Sequence, residues 1–248
     1  MSLADARDAP ADAIQAADKA RSTSVREVIY RDGARTRPGR ESQRRQGETY
    51  RAIVHSWDNA ACAGEPEEWR SVEPLLAELH APLGVFSVLG NHDPWADTGR
   101  SQHWLSRTGQ DLRHKAVGIE RDGSRLWLVG AGDLWEDHRS LDELMREIPE
   151  SDCRLVLAHN PDTADTDFSS RVDLMVSGHT HGGQVDIPFV GTPILPFRNK
   201  AYSSGLKRSP RGASVFISRG IGWAVYPVRF NCLPEIAVLE LVPAEPRT

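Results

Sequence analysis

Histidine and amide side chains occupy three short loops of the sequence. Asn91-His92-Asp93, His159-Asn160 and His179-Thr180-His181 each follow a run of apolar residues. Neutral imidazole is a common ligand of Zn, Fe, Mn and Co, and an Asn carbonyl is a neutral oxygen ligand. A histidine that is not a ligand can donate a proton or stabilise developing negative charge. The loops therefore indicate metal-assisted chemistry, although a simple turn at Asn91–Asp93 and a structural role for His159 are open alternatives.

The spacing within the third loop favours a shared centre. In extended backbone, side chains two residues apart point the same way, so His179 and His181 can address one ion. Gly178 before the pair and Gly182-Gly183 after it permit tight turns and close approach of the backbone. A His-x-His pair alone is weak evidence, and the argument depends on the three loops together.

Short buried strands are expected to position these loops. Strands are predicted at Val85–Leu89, Leu126–Val129, Arg154–Ala158 and Val172–Val176, and each ends in polar residues. Ligand sites of α/β folds collect beyond the carboxyl ends of strands. Helices are predicted over Glu67–His80 and from a capping box at Ser140 through Ile148, with further strands at 215–217, 223–226 and 236–239. The sequence therefore predicts an α/β fold.

Composition narrows the class of protein. The 248 residues are 39% hydrophobic and 26% charged, and the three cysteines form no CxxC pair. No apolar run is long enough for a membrane span, so we expect a cytoplasmic location. The net charge of −5 argues against a general nucleic-acid binder, and no specific nucleic-acid partner is predicted. Residues 31–51 hold seven arginines and are predicted to be disordered; a basic tail that contacts nucleic acid or a membrane surface is the alternative.

The motifs together resemble a known family. Gly90-Asn91-His92-Asp93, a strand ending at His159, and Gly178 to Gln184 follow one another as in the second half of a calcineurin-like metallophosphoesterase. The stretch from Ser218 to Gly222, through Arg229-Phe230, to Pro234-Glu235-Ile236 resembles a bacterial branch of that family.

The resemblance implies a four-layer α/β-β/α sandwich with two metal ions, drawn from Mn, Fe, Zn or Co, and a phosphoester substrate. Asn91, His159 and His179 would then hold one ion, and His181 would help to hold the other. His92 would stabilise the transition state or protonate the leaving group, and Asp93 would orient His92. A hydroxide activated by the two ions would attack phosphorus, giving phosphodiesterase or phosphomonoesterase activity.

Two motifs that the family carries are missing from this sequence. No Asp-x-His precedes Asn91, and the one Gly-Asp, Gly132-Asp133, lies downstream of it. We accordingly predict a disordered or aberrant segment at 1–64 and an incomplete phosphoesterase domain at 65–248. Three explanations are open: a shifted reading frame upstream, a non-catalytic remnant that binds one metal or a phosphorylated ligand, and an enzyme with replacement ligands.

Overall fold

The computed structural model describes residues 26–32, 51–56, 79–121, 124–193, 198–222 and 228–241. These ranges contain ten strands: β1 (Arg26–Asp32), β2 (Arg51–Ser56), β3 (Val85–Val88), β4 (Lys115–Arg121), β5 (Ser124–Gly130), β6 (Cys153–Leu157), β7 (Leu174–Ser177), β8 (Gly205–Arg208), β9 (Ser214–Ile217) and β10 (Ala237–Leu241). The same ranges contain helices α1 (His92–Thr108) and α2 (Leu141–Leu144), with short 3₁₀ turns at Pro161–Asp165, His181–Gly183 and Lys200–Tyr202.

The strands form two mixed sheets. One has the order β10-β1-β2-β3 and the other the order β4-β5-β6-β7-β9-β8. In the larger sheet β5, β6, β7 and β9 are parallel neighbours, so their carboxyl ends meet at one edge. The loops that carry His159 and His179 leave β6 and β7 at this edge.

Apolar faces of the two sheets pack against each other. The shared core joins Val54 and Val88 of the smaller sheet to Leu128, Leu155 and Val176 of the larger one. One described helix packs beside each sheet. Leu105 of α1 lies in a second cluster, against which Val85 of β3 packs, and Leu141 of α2 lies in a third, with Val156 of β6. The predicted α/β sandwich is confirmed.

Two parts of the segment 1–64, which the sequence predicts to be disordered or aberrant, form strands. β1 pairs in parallel with β10 and antiparallel with β2, and β2 pairs in parallel with β3. Ala52 and Val54 of β2 are buried in the core between the sheets. The composition of residues 31–51 is rich in arginine and gave no sign of these strands, because the apolar residues of β1 and β2 lie at or beyond the ends of that range.

Several other predicted elements differ from those in the structure. α1 follows Asn91, where the sequence analysis predicts no helix, and α2 is a single turn that ends before Ile148, without a hydrogen bond from the Ser140 side chain. β4 and β8 were not predicted. The helix predicted at 67–80 falls almost wholly, and the strand predicted at 223–226 entirely, outside the described residues.

Candidate metal centre

Three predicted ligands meet at the facing strand ends. His159 follows β6, His179 follows the neighbouring β7, and Asn91 follows β3 of the opposite sheet. His159 Nε2 lies 3.1 Å from Asn91 Oδ1 and 3.1 Å from His179 Nδ1. All three residues are buried, with exposed fractions of 4% or less. The structure thus brings together side chains that are up to 88 positions apart in the chain.

These spacings suit ligands of one metal ion. Two nitrogen ligands at about 2.0–2.1 Å from a tetrahedral Zn²⁺ stand roughly 3.3 Å from each other. The observed separations of 3.1 Å are close to that value, and the donors are two imidazole nitrogens and an amide oxygen. Such a set suits first-row transition ions. Asn91, His159 and His179 therefore fit a single ion.

A fourth residue, Ser56, orients His159. The Ser56 hydroxyl lies 3.2 Å from His159 Nδ1, and Ser56 is the last residue of β2. A proton on Nδ1 directed at this hydroxyl leaves the Nε2 lone pair facing Asn91 and His179, which is the tautomer that a metal ligand needs. Sequence reasoning missed Ser56, because it lies in the segment predicted to be disordered.

His181 does not complete this ligand set. Within the ranges described above, no three His, Cys, Asp or Glu side chains form a group able to hold a metal ion. His181 is buried, and both His179 (φ +67°) and His181 (φ +50°) have left-handed backbone, so the extended geometry assumed for this pair is wrong. Left-handed backbone lacks the two-residue alternation of a strand, on which the shared direction of the two side chains was based. A role for His181 at a second ion stays a prediction.

A partly buried arginine holds the loop of His181 in place. The Arg229 guanidinium donates to five backbone carbonyls, those of His181, Arg219, Gly220, Gly222 and Cys232. The Cys232 thiol also donates to the His181 carbonyl, at 3.3 Å. Burial lowers the pKa of Arg229 from its ordinary value. The sequence motif includes Arg229, but nothing in the pattern showed this contact.

Gly182 makes the close approach possible. A Cβ at this position would lie 2.6 Å from Arg219 Cγ and 2.8 Å from Cys232 Sγ, and its φ is +60°. The Arg219 side chain is itself held by Glu235, whose carboxylate accepts from Nε at 2.7 Å and raises the pKa of Arg219. The loop after β7 is therefore supported by a packed second layer.

The predicted catalytic pair begins helix α1. Asn91 is the N-cap position, His92 is the first helical residue and is partly exposed, and Asp93 is fully buried in the first turn. The Asp93 carboxylate accepts from the Gly90 amide at 2.8 Å and the Ser101 hydroxyl at 3.0 Å. These bonds fasten the loop to the helix, and a carboxylate in the first turn also interacts favourably with the helix dipole.

Trp135 forms one wall of the site. Its ring meets that of His179 edge to face, with 4.8 Å between centroids, and the residue is 48% exposed. Asp133, after β5, accepts from the backbone amides of Trp135 and Glu136 and so shapes this loop. A cleft of about 210 Å³ lies between the loop after β3 and the loop after β5, and its lining includes Gly90, Pro94 and Asp133.

Comparison with known proteins agrees with this architecture. Residues 49–183 match the model of the calcineurin-like phosphoesterase family. Phosphodiesterase YaeI of Escherichia coli is 37% identical over 176 residues, which cover 68% of this chain and 62% of YaeI. The uncharacterized metallophosphoesterase YkuE of Bacillus subtilis is 31% identical, with 69% and 61% covered, and a metallophosphoesterase of Aquifex aeolicus is 31% identical, with 67% and 64% covered.

The chain belongs to the calcineurin-like phosphoesterase family, and this confirms the resemblance inferred from the motifs. The matched region begins at residue 49, within the segment predicted to be disordered. The chain spans a little over three fifths of the length of the curated relatives named here. Among the helices of the described ranges, none is long and apolar enough to cross a membrane.

Proposed function

We propose that this chain is a metal-dependent phosphoester hydrolase, of phosphodiesterase or phosphomonoesterase type, with Asn91, His159 and His179 as ligands of one ion. The pair of 3.1 Å contacts that His159 Nε2 makes with Asn91 and His179 carries the proposal. The family and the name of the relative YaeI support a phosphoester as substrate. Mn, Fe, Zn and Co all suit this donor set.

A bound ion would act as a Lewis acid on a phosphoryl oxygen and lower the pKa of a coordinated water. The chain's own residues would prepare the site for that chemistry. The Ser56 hydroxyl would accept from His159 Nδ1 and so hold the tautomer that leaves Nε2 for an ion, and Trp135 packs against His179. His92 lies partly exposed at the N-terminus of α1, a place that favours an anionic group. An imidazolium there would donate its proton to the leaving-group oxygen.

The number of ions is a separate part of the proposal. In the family pattern a carboxylate bridges two ions, yet no Asp or Glu of the described residues joins His159 and His179 in a metal-holding group. Ser56, a hydroxyl rather than a carboxylate, lies beside His159 at the end of β2. We therefore expect one tightly bound ion. Two ions, with His181 at the second, is the alternative that the family favours.

The same observation favours a second candidate function. With one ion and no bridging carboxylate from the described residues, the fold would bind a metal or a phosphorylated ligand without hydrolysing it. Turnover distinguishes the two candidates, because both predict metal binding.

The test combines metal content with hydrolysis. Purified protein is loaded with Mn²⁺ or Zn²⁺, the bound metal is measured by mass spectrometry, and hydrolysis of bis-p-nitrophenyl phosphate and p-nitrophenyl phosphate is followed. We expect about one ion per chain, turnover, and loss of both in His179→Ala. His103→Ala is the matched control, because His103 lies exposed on α1. Metal binding without turnover supports the second candidate, and undiminished metal binding and activity in His179→Ala refute the site.

A further inference from the structure

A segment near the surface bridges the two loops that carry His159 and His179. It comprises residues 198–203, and we call it the bridging segment. Tyr202 is its one buried residue. A segment that buries so little apolar surface does not offset the entropy of ordering it by packing alone, so its hydrogen bonds decide where it lies.

Two carboxylates fasten the bridging segment to the loop after β6. The Asp162 carboxylate accepts from the backbone amides of Arg198 at 2.5 Å and Asn199 at 2.9 Å. The Asp165 carboxylate accepts from the Asn199 side-chain amide at 2.8 Å and from the Tyr202 hydroxyl at 2.7 Å. Burial and the hydrogen bond to Asp165 raise the pKa of Tyr202, so its hydroxyl stays protonated and able to donate. The bridging segment and the loop after β6 thus form one hydrogen-bonded unit.

A threonine fastens the bridging segment to the loop after β7. Thr180 stands between His179 and His181 and is 1% exposed. Its hydroxyl donates to the Ser203 carbonyl at 2.7 Å and accepts from the Gly182 amide at 3.1 Å. The histidines on either side have left-handed backbone, which costs about 1–3 kcal/mol at each residue and persists only where the surrounding structure enforces it. The two bonds of the Thr180 hydroxyl supply part of that enforcement.

These anchors lie next to the ligands in the chain. Asp162 is three residues after His159, and Thr180 directly follows His179. Pairing between β6 and β7 continues to the bond from the Gly178 amide to the His159 carbonyl, and the loops beyond it depend on side-chain contacts such as these. Metal ligands must be held within about 0.5 Å of the binding geometry, so a shift of either anchor would disturb the site.

We infer that Asp162 and Thr180 are positioning residues of the metal centre, which act through the bridging segment to hold His159 and His179 at the separation that one ion needs. The inference rests on the proposed function, because it concerns the ligands of the same ion, and it adds the residues that set their geometry.

The Zn²⁺ affinity of the full chain, measured by competition with a chelator, tests the inference. Thr180→Val keeps the shape of the side chain and removes the hydroxyl, whereas Thr180→Ser keeps the hydroxyl. We expect Thr180→Val to weaken Zn²⁺ binding about 10- to 100-fold and Thr180→Ser to bind close to wild type. At saturating Co²⁺, the visible absorption spectrum of Thr180→Val should differ from that of wild type, because the ligand geometry changes.

A second pair of variants separates positioning from general stability. Asp162→Asn and Asp142→Asn each replace a carboxylate that accepts from two successive backbone amides. Both should lower the melting temperature, but only Asp162→Asn should weaken Zn²⁺ binding, by about tenfold or more. Melting curves show which variants are folded, and Asp162→Asn carries the test if Thr180→Val does not fold.

Wild-type Zn²⁺ affinity in both Thr180→Val and Asp162→Asn would overturn the inference, as would an equal loss of affinity in Asp142→Asn. His179→Ala, measured alongside, keeps this result apart from that of the proposed function. Loss of the ion in His179→Ala, with unchanged binding by Thr180→Val and Asp162→Asn, overturns the positioning role alone. Binding that is retained in His179→Ala overturns the metal centre itself, and the inference with it.

Discussion

Replacement of Arg229 by lysine is expected to destabilise the protein through the loop that carries His181. The arginine guanidinium presents five N–H groups in a fixed plane and satisfies five backbone carbonyls from three chain segments. A lysine ammonium has three N–H groups at a single point. At least two of these carbonyls would therefore lose their donor.

The magnitude follows from the number of lost bonds. Each half-buried carbonyl left without a partner costs about 1–2 kcal/mol, so Arg229→Lys should cost about 2–4 kcal/mol. For a chain of this size, that corresponds to a fall in melting temperature of roughly 5–15 °C. The overall stability of a protein is about 5–15 kcal/mol, so the variant should still fold.

The assay is denaturant unfolding together with a thermal melt, each with and without Mn²⁺. Arg211→Lys serves as the control, because Arg211 reaches the Phe168 carbonyl and the Asp167 carboxylate at an exposed position and should lose less than about 1 kcal/mol. Equal unfolding midpoints for Arg229→Lys and wild type would refute the view that this guanidinium holds the loop.

Three further variants test other parts of the structure. Ser56→Ala should lower metal affinity about 10- to 100-fold in titrations, because the hydroxyl no longer orients His159; unchanged affinity would contradict that role. Gly182→Ala should cost about 1–3 kcal/mol more than Gly191→Ala in denaturant unfolding, because both positions have positive φ but only the first Cβ meets neighbours, at 2.6 and 2.8 Å. Hydrogen bonds from Ser170 and the residue before it lower the pKa of Asp142 from 3.8 to about 2, so this carboxylate stabilises the fold above pH 3.8 and ceases to do so as the pH falls towards 2. The stability difference between wild type and Asp142→Asn should therefore shrink over that interval, and a constant difference would contradict the assignment.

The sequence alone was sufficient to predict the parts of the fold that depend on local patterns of residues. The strands that became β3, β5, β6, β7 and β9 are short apolar runs with polar ends, and each is found within about two residues of its predicted position. Asn91 and His159 were placed at strand ends for the same reason. α1 was overlooked although Asn91 before it and Asp93 in its first turn are typical of a helix start, because both residues also favour turns.

Strand pairing decided what the local patterns left open. β1 and β2 are short and adjoin an arginine-rich stretch, and they are strands because β10 and β3 offer partners and the opposite sheet buries Ala52 and Val54.

The tertiary structure likewise decided which atoms of the candidate site lie close together. Ser56 and His159 are 103 positions apart and touch only because β2 and β6 belong to facing sheets. The left-handed backbone at His179 and His181 contradicts the extended geometry that their spacing suggested. Sequence thus determined which residue types stand at the strand ends, since that depends on neighbours along the chain. Tertiary structure determined which atoms face one another, since that depends on the pairing of distant strands.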